Sequence, residues 1–199
     1  MDVLIIRVVG GDAYFKLGIM SLVISQWENG NKKVKIVPDD ATTFHLSFDF
    51  YEEVVVVHAT DLIGVPHLAE SKKGCWGNIY IPFNCRRATL AQIERKISKI
   101  LAISSWKVPK TLDLAHLIAH NDFKRYQQLS PAEFMIMTLI GQGIDCHFIS
   151  KTMNRSIKTV RTHYRSASRK LGFDNQADFF RFAKYVANNS QGAINTLCL

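Results

Sequence analysis

The sequence predicts two folds in series: an α/β N-terminal domain with a mainly parallel sheet, then an all-α C-terminal domain of four short helices. Two observations separate them. Residues 1–102 alternate short β-branched runs with amphipathic stretches, a pattern that builds a sheet covered by helices. After Leu129 the strand-like runs stop, and apolar residues recur at helical spacing between capping residues. A third observation concerns charge. Arg155, Lys158, Arg161, Arg165, Arg169 and Lys170 lie within sixteen residues that contain no acidic side chain.

In the N-terminal part, Val3–Val9 is apolar apart from Arg7 and predicts a buried strand. Asp12 can cap a helix over residues 13–27, which Asn29-Gly30-Asn31 would end. Lys33–Val37 predicts a second strand, and residues 44–50 alternate like a half-buried strand. Val54–Val57 is a fully buried strand and Asn78–Phe83 another. Residues 89–102 form an amphipathic helix through Leu90, Ile93, Ile97, Ile100 and Leu101. The aromatic run Phe44, Phe48, Phe50 and Tyr51 packs a core by default, with an interaction surface as the other option.

Residues 103–128 read as a linker. Ser104-Ser105 and Pro109 mark a break, and residues 111–119 suggest a short helix. On that helix Asp113, His116 and His120 share a face at metal-ligand spacing, but no fourth ligand is evident, so no metal is expected. Lys107, Lys110, Lys124 and Arg125 would either add nonspecific phosphate contacts or lie solvated.

The C-terminal part, residues 129–199, carries its own boundaries. Ser130 caps a helix with Pro131 at its first position, and Glu133 completes a capping box. Phe134, Met135, Met137, Leu139 and Ile140 follow, and Gly141 and Gly143 stop the helix. A second helix would bury Phe148, Ile149 and Met153, with Asn154-Arg155 as the turn and Ser156 as the next cap. In the third helix Lys158, Arg161 and Arg165 share one face, while Ile157, Val160, Tyr164, Ala167 and Leu171 share another. Asp174-Asn175 caps a fourth helix bearing Phe179, Phe180, Phe182, Ala183 and Val186. A tight turn before a helix with one apolar and one cationic face suits insertion into a major groove.

The strings L-S-x-x-E from Leu129, Q-G-I-x-x-x-x-I-S-x-x-M from Gln142, S-I-K-T-V-R-T-H from Ser156 and R-K-L-G-F from Arg169 resemble the LuxR/FixJ/NarL helix-turn-helix family. The resemblance implies double-stranded promoter DNA as partner. It places Arg161, Thr162 and Arg165 at base edges, and Lys158, Thr159 and His163 near the phosphate backbone. Arg169 and Lys170 join the expected phosphate contacts as remaining cations of the same helix. Val160 and Leu171 match core positions. The family's Asn-Lys-Glu after the first helix is Cys146-His147-Phe148 here.

An α/β domain before such a module resembles a response-regulator receiver, and Tyr14–Ile19 is similar to a receiver's first helix, though a receiver-type order would place a helix near the strand-like residues 44–50. The receiver's chemistry does not carry over. Gly10-Gly11 stands where an acidic pair would hold Mg²⁺, leaving Asp12, and His58 closes the Val54–Val57 strand where the phosphate-accepting aspartate is expected. Asp61 falls three residues beyond it, and the region is short by about one strand-helix unit. The expected role is a pseudo-receiver, similar to the RcsA/BglJ/MatA-like auxiliary regulators. It would pair with itself or with another LuxR-type regulator, without aspartate phosphorylation. Phosphorylation on His58, a working phosphoacceptor, and a sigma-region-four module that binds RNA polymerase are the other readings.

Composition fits. The chain has 199 residues and a net charge of +8. From Leu129 onward nine Lys/Arg face four Asp/Glu, against sixteen and thirteen before it, so the positive excess concentrates in the smaller part. Cys75, Cys85, Cys146 and Cys198 form no C-x-x-C pair and read as reduced thiols of a cytoplasmic protein. No signal peptide or membrane span is expected. There is no G-x-S-x-G and no phosphate-binding glycine loop, and Asp39-Asp40 and Glu52-Glu53 sit beside strands as turn or surface pairs. Neither an enzyme nor a cofactor is expected.

Overall fold

In the computed structural model, the chain is described over residues 2–28, 32–58, 78–85, 88–105, 123–190 and 195–199. Its elements are β1 (Asp2–Val9), α1 (Ala13–Trp27), β2 (Lys32–Val37), β3 (Leu46–Asp49), β4 (Val54–Val57), β5 (Ile79–Pro82) and α2 (Leu90–Ser105). A 3-10 turn (Arg125–Gln127) then leads into α3 (Pro131–Gly141), α4 (Cys146–Thr152), α5 (Ile157–Leu171) and α6 (Gln176–Asn189). The linker residues Lys107, Pro109, Lys110, Asp113, His116 and His120 lie outside the described residues, as do Asn29-Gly30-Asn31, Asp61 and Cys75.

The strands form one sheet in the order β2-β1-β3-β4-β5. β1 pairs in parallel with β2 and β3, whereas β4 runs antiparallel to both β3 and β5. Four of the five strands therefore share a direction, and β4 alone is reversed. The cause is the connection. Residues 50–53 are too few for a crossover, which needs about a dozen, so β3 and β4 close as a hairpin. Asp49 Oδ1 accepts the backbone N–H groups of Tyr51 at 3.0 Å and Glu52 at 3.1 Å, and Glu53 completes the turn at φ 52°.

This turn corrects the expected acceptor position. The third strand ends at Asp49, beside Val9 at the end of β1. His58 instead follows the reversed β4 and lies at the opposite end of the sheet. There its N–H donates to His45 O at 3.0 Å, and its ring meets Phe44 edge-on at 4.4 Å. Gly10-Gly11 also has a structural reason. Both adopt positive φ, 74° and 77°, and a Cβ on Gly10 would come within 2.7 Å of the Tyr51 ring.

One face of the sheet buries Leu4, Ile6, Val8, Leu46, Phe48, Val55 and Ile81 against α1 and α2. The other face of β4 and β5 presents Val54, Val56 and Tyr80, and these pack on Phe134, Met137, Ala167, Leu171, Phe179 and Phe182 of the helical part. Thus β4 is buried on both faces because the two folds share one core. Each fully buried apolar side chain contributes about 1.5–3 kcal/mol over exposure, enough to hold the parts together. Polar contacts fix the arrangement. Tyr80 Oη donates to Asn189 O at 3.0 Å, and Arg181 reaches Glu53 at 3.7 Å and Asp178 at 3.2 Å. Residues 195–199, expected within the DNA-binding part, return to the sheet: Thr196 bridges Tyr80 in parallel, and Leu197 is fully buried. The Gln128 side chain clasps that segment, bonding both N–H and C=O of Cys198 at 2.9 Å.

Several expectations shift in detail. α2 continues through Ser104 and Ser105, with Ser104 Oγ donating to Ile100 O, so these two serines do not break the helix. Phe44 and Phe48 are core residues, whereas Tyr51 is exposed. Phe148, Met135 and Phe180 are exposed rather than buried. Ile149 instead takes the inward position of α4.

In the helical part, the capping box predicted at Ser130 and Glu133 is present. Glu133 also receives the Lys170 ammonium at 2.7 Å. Burial alone would raise its carboxyl, but bonds from Lys170, the Ser130 N–H and the Ser166 hydroxyl overcome that and hold it at about 2. The depressed folded-state value means that this stabilisation is complete above the ordinary value of 4.5 and is lost as pH falls toward about 2. Glu133→Gln is expected to flatten acid unfolding between those limits and to cost about 1–3 kcal/mol at neutral pH, because Lys170 loses its counter-ion. Circular dichroism against pH and urea measures both. Gly141 is a second sensitive point, since a Cβ there would lie 2.2 Å from Ala183 O where α3 crosses α6. Gly141→Ala is expected to destabilise by at least about 1–3 kcal/mol through overpacking, read as a lower urea midpoint.

Candidate nucleic-acid interface

α4, the turn through Asn154 and α5 form a helix-turn-helix built on Ile136, Ile149 and Val160, with Leu139, Ile144, Met153 and Tyr164 packed around them. Local chemistry sets each boundary. Asp145 caps α4 by accepting from His147 N at 2.7 Å and Phe148 N at 2.9 Å, and these bonds hold its carboxyl below the usual range. Asn154 takes φ 50° in the turn, a left-handed conformation that asparagine tolerates. Ser156 Oγ then accepts from Thr159 N at 3.0 Å and starts α5, which ends at Gly172 with φ 77°.

The two faces of α5 separate as its sequence pattern predicts. Val160, Ala167 and Leu171 are buried. Lys158, Arg161, Thr162, Arg165 and Arg169 are exposed, and Thr159 and His163 are half-buried at the edges. Among the described residues, no carboxylate forms an ion pair with Lys158, Arg161, Arg165 or Arg169. The exposed cations therefore stand opposite the buried face of α5, whose Ala167 and Leu171 share a core cluster with Val54, Val56 and Tyr80 of the sheet. Thr162 Oγ1 donates back to Lys158 O at 2.9 Å, which fixes its rotamer and leaves an acceptor lone pair outward.

Lys170 departs from the expected phosphate set. Its ammonium donates to Glu133 at 2.7 Å and to Gln128 O at 2.9 Å, so it anchors the bundle instead of facing solvent. Sequence reasoning placed it with its cationic neighbours because the acidic partner lies 37 residues away. Arg125 and Lys124 are exposed around the 3-10 turn, and Lys124 lies over the Tyr126 ring at 5.9 Å.

Other chemistry is sparse. Cys85, Cys146 and Cys198 are free, and burial pushes the Cys85 and Cys198 thiols up to about 12. Among the described residues, no group of three or more His, Cys, Asp or Glu could hold a metal ion. No described helix is long and apolar enough to cross a membrane.

Comparison with known proteins bears on the helical part. Residues 127–183 match the family described as bacterial regulatory proteins, luxR family. No curated protein matches the chain. Among solved structures, the RcsB response regulator of Salmonella typhimurium, studied for conformational dynamism in DNA interaction, is similar at 17% identity. That match covers 92% of this chain and 100% of the other with a TM-score of 0.30, too loose a superposition to carry an inference. Family match, caps and outward cationic face agree on one conclusion: residues 127–183 form a helix-turn-helix of the luxR-family type.

Proposed function

We propose that the protein is a bacterial transcription regulator that binds promoter DNA as a dimer, with α5 in the major groove. The observation that carries this reading is the exposed set Lys158, Arg161, Arg165 and Arg169, unpaired among the described residues, on a helix whose other face is locked into the core. Arg161 and Arg165 are assigned to guanine edges, where one bidentate pair contributes about 1–3 kcal/mol of discrimination. Thr162 joins them at the bases. Lys158, Thr159, His163 and Arg169 are assigned to phosphates, together with the N-terminus of α5.

The sheet domain supplies pairing, either with a second copy or with another LuxR-type regulator, and RNA polymerase is a further partner of the assembly on DNA. Paired recognition helices would stand one DNA turn apart, about 34–36 Å. A cytoplasmic location follows from promoter binding. Pairing without aspartate phosphorylation is supported by Gly10-Gly11, where positive φ disfavours an acidic pair and a side chain at Gly10 would meet the Tyr51 ring. A second reading rests on Asp49. It closes β3 beside β1, so an atypical phosphoacceptor at that carboxylate competes with the turn bonds it now accepts.

Arg161→Ala and Arg165→Ala are expected to weaken specific binding by about 1–3 kcal/mol each and to relax base preference. Lys158→Ala should weaken all sequences evenly and lower the salt slope by about 1. Footprinting and salt titrations check both, and unchanged operator preference in the double arginine variant would remove the base assignment. Incubation with acetyl phosphate followed by intact mass separates the two readings of the sheet domain. No added phosphate supports pairing alone, whereas a phosphate lost in Asp49→Ala supports the second.

A further inference from the structure

α2 and the turn that follows α5 flank an open pocket of about 400 Å³, away from the proposed DNA-facing residues. Gln92, Arg95, Lys96 and Lys99 of α2 line one side, and Gly172 and Asp174 line the other. Arg95 and Lys99 are four residues apart and share a face of the helix, while Lys96 is turned inward and half-buried. Among the described residues, none of these three cations forms an ion pair with a carboxylate. Asp174, the one acid in the wall, has interactions of its own. The pocket therefore carries an excess of positive charge.

Burial is the main influence that lowers the Lys96 ammonium below its ordinary value, and Lys99 adds to the effect. A desolvated cation without a counter-ion is unfavourable, and a bound anion offsets that cost. Asp174 opposes an anion with a full charge and the C-terminal end of α5 with about half a charge, against three full positive charges from α2. The volume lies within the range of small-molecule pockets, about 300–1,000 Å³, and excludes a duplex. The site is also separate from the proposed readout residues: Gly172 lies eleven residues beyond Arg161, roughly 16 Å along the helix axis.

We propose that this pocket binds a small phosphate-bearing anion, held by the Arg95 guanidinium and the ammonium groups of Lys96 and Lys99. Arginine matches phosphate oxygens through paired N–H donors, and the lysines add point charges from the same helix. The Gln92 amide offers a neutral donor at the rim. An occupant would touch the sheet domain through α2 and the helical part through the α5–α6 turn. It would favour the docked arrangement of the two.

Isothermal titration of the full chain with tripolyphosphate tests this directly. One saturable site is expected. Lys96→Gln and Lys99→Glu should each weaken it by about ten-fold or more, whereas Arg161→Ala/Arg165→Ala should leave it unchanged. Lys99 is exposed, so its substitution keeps the test decisive even where Lys96→Gln perturbs folding. Absence of a saturable heat, or binding that survives both α2 substitutions, overturns the proposal. So does binding abolished by the recognition-helix pair or displaced by duplex DNA, which places the anion on the DNA face.

Discussion

Burial of β4 on both faces is the constraint on which the rest of the structure depends. Val55 and Val57 complete the core under α1 and α2, while Val54 and Val56 are covered by α3, α5 and α6. A strand of four consecutive valines has no polar face to offer water. The sheet therefore needs the helical part as a second layer, and the helical part gains a fixed base. That base sits behind Ala167 and Leu171, so it determines which way α5 faces. Orientation of the cationic stripe is a result of sheet packing as much as of the helix itself.

The cations of α5 divide by position. Toward the N-terminus, Lys158, Arg161 and Arg165 remain solvated and, among the described residues, unpaired. At the C-terminus, Lys170 is committed to Glu133 and the Gln128 carbonyl. The same Gln128 holds Cys198 through its side chain, so the lysine, the entry to α3 and the returning segment meet at one residue. A run that is uniform in composition thus contains a solvated cationic stripe at one end and a structural anchor at the other.

Much of the helical part was legible because its determinants are local. Ser130 with Glu133, Asp12 and Ser156 each cap a helix through bonds spanning three residues, which sequence spacing exposes. The inward face of α5 followed from helical periodicity for the same reason. Long-range pairings were not legible. The partner of Lys170 lies 37 residues away, and Gln128 meets Cys198 across 70. The reversal of β4 did leave a signal. Four residues between Asp49 and Val54 cannot carry a crossover, and counting them would have moved the third strand's end from His58 to Asp49. Phe148 was misplaced because hydrophobicity alone does not say which side of a seven-residue helix turns inward.

The shared layer also bears on how the molecule can be dissected. Severing the chain between α2 and α3 would uncover Val54, Val56 and Tyr80 on one fragment and Phe134, Phe179 and Phe182 on the other. Each fragment would then carry an adhesive apolar patch that the intact protein conceals. Experiments on an excised helix-turn-helix would report the behaviour of that unmasked surface along with any affinity of the module itself for DNA.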